Sequence, residues 1–194
     1  MSFKLIVITP EKNHPKEFEL ITALFENGLQ LLHLRKPQAT ENELRNYLKL
    51  IPKKFYRKIV IHSHYKLAKE FNLKGVHLTE KVRKAKRINP SLRIISTSFH
   101  STIDVLKSRR KYEYVFLSPV FDSISKKGYK SNFDLDDLNS FLKRMKNIIA
   151  LGGIDANNIK AIKQIGFNGS AFIGSIWQSK NPAKSYNELA LKIK

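Results

Sequence analysis

The chain contains no cysteine, which excludes disulfides and thiolate-bound metal centres and makes a reducing compartment its natural setting. It also lacks any apolar stretch of the roughly 18 residues that a membrane span requires. The apolar run nearest the N-terminus, Leu5–Ile8, is too short for the core of a signal peptide. A soluble, cytoplasmic protein is therefore expected. Linkers and low-complexity tracts are missing too, so residues 1–194 are expected to build one domain around one core. Acidic residues are scarce, 16 against 36 lysines and arginines, for a formal charge of +20. Such a balance invites a nucleic-acid reading. Yet lysines outnumber arginines three to one, whereas readers of bases and phosphates rely on arginine forks. The cations are spread along the chain, and the densest run, Lys81–Arg87, reads as a solvated face. Small anions, phosphorylated substrates among them, are the expected partners, and nucleic acid is not.

What the chain does have is alternation. Apolar, β-rich runs recur at Leu5–Ile8, Leu29–Leu34, Ile59–Ile61, Val76–Leu78, Ile94–Thr97, Tyr114–Leu117, Ile148–Leu151 and Ala171–Ile173. Between them lie helix-period segments. Phe18, Ile21, Leu24 and Phe25 share one face, as do Leu44, Tyr47, Leu48 and Ile51. Further helices are predicted over Tyr65–Phe71, Ile103–Arg110, Leu135–Lys146, Asn158–Ile165 and Ala183–Ile193, with Asp134 and Asp155 as starting caps. The segment between Leu78 and Leu92 is short and basic. Eight apolar strands alternating with helices predict an α/β fold, a single (β/α)8 TIM barrel at the compact end of that class.

Polar residues gather where these strands should end: His33 and Arg35, His62 and Ser63, His77, Ser98 and His100, Ser118, then Gly152 and Gly153. Barrel active sites are assembled from the carboxyl ends of several strands. Ile148–Leu151 and Ser170–Ile173 each run into glycine and flank a helical segment. Glycines there let a ligand approach the backbone, and free N–H groups suit a phosphate. Two readings stay open at this point, a phosphate cradle over Gly152, Gly153, Ile173 and Gly174, or two ordinary strand-to-helix turns.

Six motifs in order carry a resemblance: Leu34-Arg35-Lys36, Gly75-Val-His-Leu78, Ser98-Phe-His100, Tyr114-Val-Phe-Leu-Ser-Pro119-Val-Phe121 with Ser123, Ser125 and Lys126 following, Ala150-Leu-Gly-Gly-Ile154, and Gly169-Ser-Ala-Phe-Ile-Gly174. Over nearly its whole length the chain resembles the thiamine phosphate synthase/thiazole tautomerase (TenI) superfamily. The resemblance implies an enzyme of thiamine biosynthesis acting on a thiazole phosphate. In the synthase branch that phosphate is joined to an aminopyrimidine diphosphate, with release of pyrophosphate and help from magnesium. In the tautomerase branch a thiazole carboxylate phosphate is aromatised by moving a proton, without magnesium.

The resemblance also assigns roles. His100 is the implied proton-transfer group, a task suited to an imidazole with a reference pKa of ~6.5, and Ser98 stands with it. His33, Arg35, His62, His77, Ser123, Ser125 and Lys126 are implied in substrate binding, and the four phosphate-cradle residues hold the thiazole phosphate. The magnesium carboxylates of the family fall here on Ser63 and Val82, with Glu80 nearby as a substitute. Magnesium is therefore expected only if synthase chemistry is retained, and the sequence leans toward the tautomerase branch. Ser123, Ser125 and Lys126 could equally be ordinary loop residues, and His100 a buried, hydrogen-bonded histidine.

Other classes remain in view. His62-Ser63-His64 has the spacing that puts two imidazoles on one strand face, as a histidine-bound metal hydrolase would need. A non-catalytic thiazole-phosphate-binding protein is a third reading. Association with further copies of the chain is left open.

Overall fold

The computed structural model of the chain describes residues 3–85, 88–108, 111–121 and 133–193. Its strands are β1 (Lys4–Ile8), β2 (Leu31–Leu34), β3 (Ile59–Ile61), β4 (Gly75–Leu78), β5 (Ile94–Phe99), β6 (Tyr114–Leu117), β7 (Ile148–Leu151) and β8 (Gly169–Phe172). The helices are α1 (Glu17–Glu26), α2 (Glu41–Lys49), α3 (Lys66–Glu70), α4 (Glu80–Arg83), α5 (Thr102–Lys107), α6 (Leu135–Arg144), α7 (Ile159–Ile165), α8 (Gly174–Trp177) and α9 (Pro182–Lys192), with a 3₁₀ turn over Lys53–Lys58. All eight strands run parallel and close on themselves, β1 pairing with β2 on one side and with β8 on the other. This is the (β/α)8 barrel that the alternation predicts.

The closure explains why the strands are apolar on both faces. Ile6, Ile8, Leu31, Val60, Ile95, Tyr114, Phe116, Ile149 and Ala171 fill the interior. Residues in between, such as Val7, Leu32, Leu34, Ile59 and Ile61, pack outward against the helices. Burying such a side chain stabilises by about 1.5–3 kcal/mol, so a register slip, which would exchange the two faces, is strongly opposed. Among the described residues, no helix is long and apolar enough to cross a membrane.

The predicted boundaries shift at a few places for local reasons. Leu29 and Gln30 do not join β2. Gly28 takes φ +92°, and the N–H of Leu29 reaches back to the Leu24 carbonyl at 3.0 Å, so these residues close α1 with a left-handed turn. Among the described residues, the basic stretch after β4 yields only the single turn of α4. Asp134 caps α6 through Oδ1 to the N–H of Asp137 at 3.1 Å. Asp155 acts a turn before α7, accepting from the N–H groups of Asn157 and Asn158 at 2.7 and 3.3 Å. At α2, Thr40 and Glu43 form a reciprocal capping box. The four-residue α8 carries no sequence signal, because one turn is too short for any periodicity to show.

Candidate active site

Strand register brings the polar strand ends to one mouth. Arg35 leaves β2 pinned by Thr9, whose hydroxyl accepts from the Arg35 N–H at 2.9 Å and donates to its carbonyl at 3.1 Å. Its half-exposed guanidinium meets Glu11 at 2.5 Å. Lys36 turns the other way. It is buried, with its ammonium 2.9 Å from Glu17 at the start of α1, and the Tyr47 hydroxyl donates to the same carboxylate at 2.5 Å. Burial and the Glu17 charge hold the Tyr47 phenol well above its ordinary range. Lys36, Glu17 and Tyr47 thus tie α1 and α2 to the end of β2, a role that no sequence signal suggested.

His33, His62 and His77 come from three adjacent strands and meet inside the barrel. His33 Nδ1 lies 2.8 Å from His62 Nε2, and His33 Nε2 lies 2.6 Å from the Tyr114 hydroxyl. His77 Nδ1 is 2.8 Å from Ser96 Oγ, and its Nε2 is 3.2 Å from Ser98 Oγ. The rings of His62 and His77 stack at 4.1 Å, over a floor made by Phe116. All three are buried, His62 being the most exposed at 8%. Burial drives the imidazoles of His33 and His62 well below their ordinary value and that of His77 down to about 3, with Arg35 adding repulsion at His62 and His77. They are therefore neutral near pH 7. His64 does not join them. Its Nε2 donates to the Ala39 carbonyl at 3.0 Å, so the His62-Ser63-His64 pair does not converge.

His100 sits just beyond β5 and is exposed, not a buried core histidine. Its Nδ1 is 2.9 Å from the Ser118 carbonyl oxygen. A carbonyl can only accept, so Nδ1 carries the proton and Nε2 is left with a lone pair facing away from that bond. Such a fixed tautomer suits a group that takes up a proton. Arg83 departs from the solvated face expected of Lys81–Arg87. It is half-buried, stacks on Phe99 at 4.2 Å, and has a buried Nε without a hydrogen-bond partner. Ser123, Ser125 and Lys126 lie outside the described residues.

The pairing of Leu151 with Ala171 sets Gly152 and Gly153 beside the exit of β8. Both glycines have positive φ, +102° and +65°. At Gly152 the missing side chain serves the fold, since a Cβ there would lie 3.0 Å from Pro119, whose strap bonds back through the Val120 and Phe121 N–H groups. Gly153 is fixed differently, by Asn158 Nδ2 donating to its carbonyl at 2.7 Å. Ile173 caps α8, which begins at Gly174. The next residue, Ser175, has a buried Oγ without a hydrogen-bond partner among the described residues. In the sequence, the one signal that marks Ser175 is its place as a hydroxyl directly after the last glycine. A short extra helix after the eighth strand is a recurrent feature of phosphate sites in such barrels.

Magnesium needs several oxygen ligands, usually carboxylates. Ser63 and Val82 offer one hydroxyl and no donor. The Glu80 carboxylate is held by Lys84 at 2.6 Å, which lowers its pKa. The donors packed at the ends of β2, β3 and β4 are imidazole nitrogens. Among the described residues, this set does not fit magnesium.

Comparison with known proteins matches residues 5–176 to the family described as thiamine monophosphate synthase. The thiamine-phosphate synthase of Bacteroides thetaiotaomicron is 27% identical over 189 residues, covering 91% of this chain and 90% of that protein. That of Flavobacterium psychrophilum is 27% identical over 203 residues, covering 98% of each. A solved structure, thiamine phosphate pyrophosphorylase from Bacteroides thetaiotaomicron, aligns with a TM-score of 0.84 at 33% identity, over 98% of this chain and 97% of that one. These names carry the synthase reaction and lend nothing to the lean toward the tautomerase branch. The family match across most of the barrel, together with the same closed fold in a relative, shows that this chain belongs to the thiamine monophosphate synthase family of enzymes.

Proposed function

We propose that the chain binds a thiazole phosphate at the carboxyl mouth of the barrel and joins it to an aminopyrimidine diphosphate, releasing pyrophosphate. The observation that carries this reading is the family match over residues 5–176, supported by synthase-named relatives along nearly the whole chain. The thiazole phosphate would rest on backbone N–H groups at Gly153 and Gly174 and on the unpaired Ser175 hydroxyl. First-turn N–H groups of a helix have no partner within it and are ready donors. In the coupling, the bond from the pyrimidine methylene to the diphosphate oxygen breaks and a bond to the thiazole nitrogen forms. Positive groups aimed at the departing diphosphate stabilise that step. Arg35 and Arg83 are cations beside the strand ends, whereas Lys36 is taken up by Glu17.

A second reading, proton transfer on a thiazole carboxylate phosphate, is favoured by one specific geometry. The Ser118 carbonyl fixes the His100 tautomer and leaves Nε2 as a base, while the described residues at the strand ends offer no carboxylate set for magnesium. It would use the same phosphate cradle. The deciding experiment incubates the pure protein with aminopyrimidine diphosphate and thiazole phosphate, with and without magnesium, and in parallel with the non-aromatic thiazole carboxylate phosphate. Thiamine phosphate formed over many turnovers supports the coupling. Aromatisation alone reverses the order of the two readings, and turnover of neither leaves a thiazole-phosphate binder.

A further inference from the structure

We propose that His33, His62 and His77 form a three-histidine site for a divalent transition metal of the zinc class, set in the barrel interior beneath the mouth. One nitrogen from each ring lies within 4.8 Å of the other two. The residues stand far apart in sequence, and only barrel closure gathers them.

The hydrogen bonds around the cluster select which nitrogens face inward. His77 Nδ1 is engaged by Ser96 Oγ at 2.8 Å, so its Nε2, which meets Ser98 Oγ at the longer distance of 3.2 Å, is the nitrogen given over to a ligand bond. His33 Nε2 is engaged by the Tyr114 hydroxyl at 2.6 Å, which leaves Nδ1 directed at His62 Nε2, 2.8 Å away. Histidines that hold metals are oriented in this way, with the non-ligating N–H donated to a fixed partner. In the metal-free chain, a proton lies between His33 and His62. A metal takes its place when the ring that carried this proton moves it to its other nitrogen, and no net proton is lost.

The dimensions suit this exchange. Zinc–nitrogen bonds of about 2.0–2.1 Å in a tetrahedral site set the nitrogens about 3.3 Å apart. The 2.8 Å pair must open by about half an ångström, and the His77 ring must turn out of its 4.1 Å stack on His62 to bring Nε2 in. Three neutral nitrogen donors favour zinc, cobalt, nickel or copper and disfavour magnesium. Three protein ligands leave the fourth tetrahedral position to water, hydroxide or an anionic group of a bound substrate. Ser98 Oγ, 3.2 Å from His77 Nε2, marks the side open to it.

The test uses the untagged full chain, stripped with a chelator, loaded with Co2+ or Zn2+ and freed of excess ion. One equivalent retained per chain, not displaced by millimolar Mg2+, is expected, with the visible absorption of low-coordinate Co2+. In the unmutated Zn2+ form, imidazole 15N resonances should show His33 Nδ1, His62 Nε2 and His77 Nε2 bound to metal. His62→Gln should weaken Co2+ binding by more than the roughly 10–100-fold that loss of an orienting partner costs, and His64→Gln should leave it unchanged. A folded chain that retains no metal overturns the proposal, as do binding that survives His62→Gln and imidazole resonances that do not move. The cluster would then be a hydrogen-bonded polar core only.

Discussion

His100 Nδ1 and the Ser118 carbonyl oxygen stand 2.9 Å apart, linking the end of β5 to the exit of β6. The contact decides which nitrogen of His100 is free, and it separates the two reactions open to this site. Proton transfer needs a base; bonding a ring nitrogen to the carbocation left by a departing diphosphate does not. His100→Ala should reduce any thiazole aromatisation by roughly 10²–10⁴. The same change should leave coupling within about tenfold and thiazole-phosphate affinity within a few-fold. Steady-state rates on both substrates check this. Equal losses in the two reactions would remove His100 from a proton-transfer role.

Lys36 and Glu17 form a salt bridge whose side chains are 5% and 2% exposed. Removing one partner strands a buried charge, which costs about 3–5 kcal/mol. Lys36→Met should therefore lower the urea midpoint sharply. The double change Lys36→Met/Glu17→Leu should recover much of the loss, since the orphaned carboxylate is gone. Tyr47 then loses its acceptor, so recovery stays incomplete. Urea unfolding of the three proteins measures this, and a single variant as stable as the parent would mean that the pair contributes nothing.

The three buried imidazoles set the acid limit of the metal-free chain. In the unfolded state they titrate near ~6.5. In the folded state burial keeps His33 and His62 well below that value and His77 at about 3. Below pH ~6.5 the unfolded chain therefore binds more protons, and stability falls as pH falls. With three such groups, about 4 kcal/mol should be lost between pH ~7.5 and ~5.5. His77→Gln should remove about a third of that slope. Urea midpoints measured in chelator across this range test it, and a flat profile would mean that the cluster is not neutral in the folded chain.

Much of this was legible in sequence because it is local. Eight apolar runs gave the strands, and polar residues at their ends marked the mouth. Inward or outward direction was harder. Lys36 reads like any loop lysine until Glu17, 19 residues away, is folded against it. The His62-Ser63-His64 spacing suggested a pair, whereas the turn at His64, with φ +48°, sends the second ring to Ala39. The partners of His62 come from neighbouring strands, 29 residues away in the case of His33. Such juxtapositions depend on register around a closed barrel, and no single stretch of sequence encodes it.

The proposed phosphate cradle would separate backbone recognition from charge. Gly153 has φ +65°, a conformation that a β-branched residue resists, and Asn158 already holds its carbonyl. Gly153→Val should rearrange the loop and block close approach, so thiazole-phosphate binding should weaken by at least about tenfold, or about 1.4 kcal/mol. Ser175→Ala removes one hydrogen bond from an otherwise intact site and should cost less than that. The chain's charge of +20 attracts any anion, so calorimetry should be run at low and at high salt. Backbone donors at close range are screened little, whereas a lysine-held phosphate would be released by salt. Binding that collapses in salt but ignores Gly153→Val would place the anion on surface lysines, away from the glycine turn.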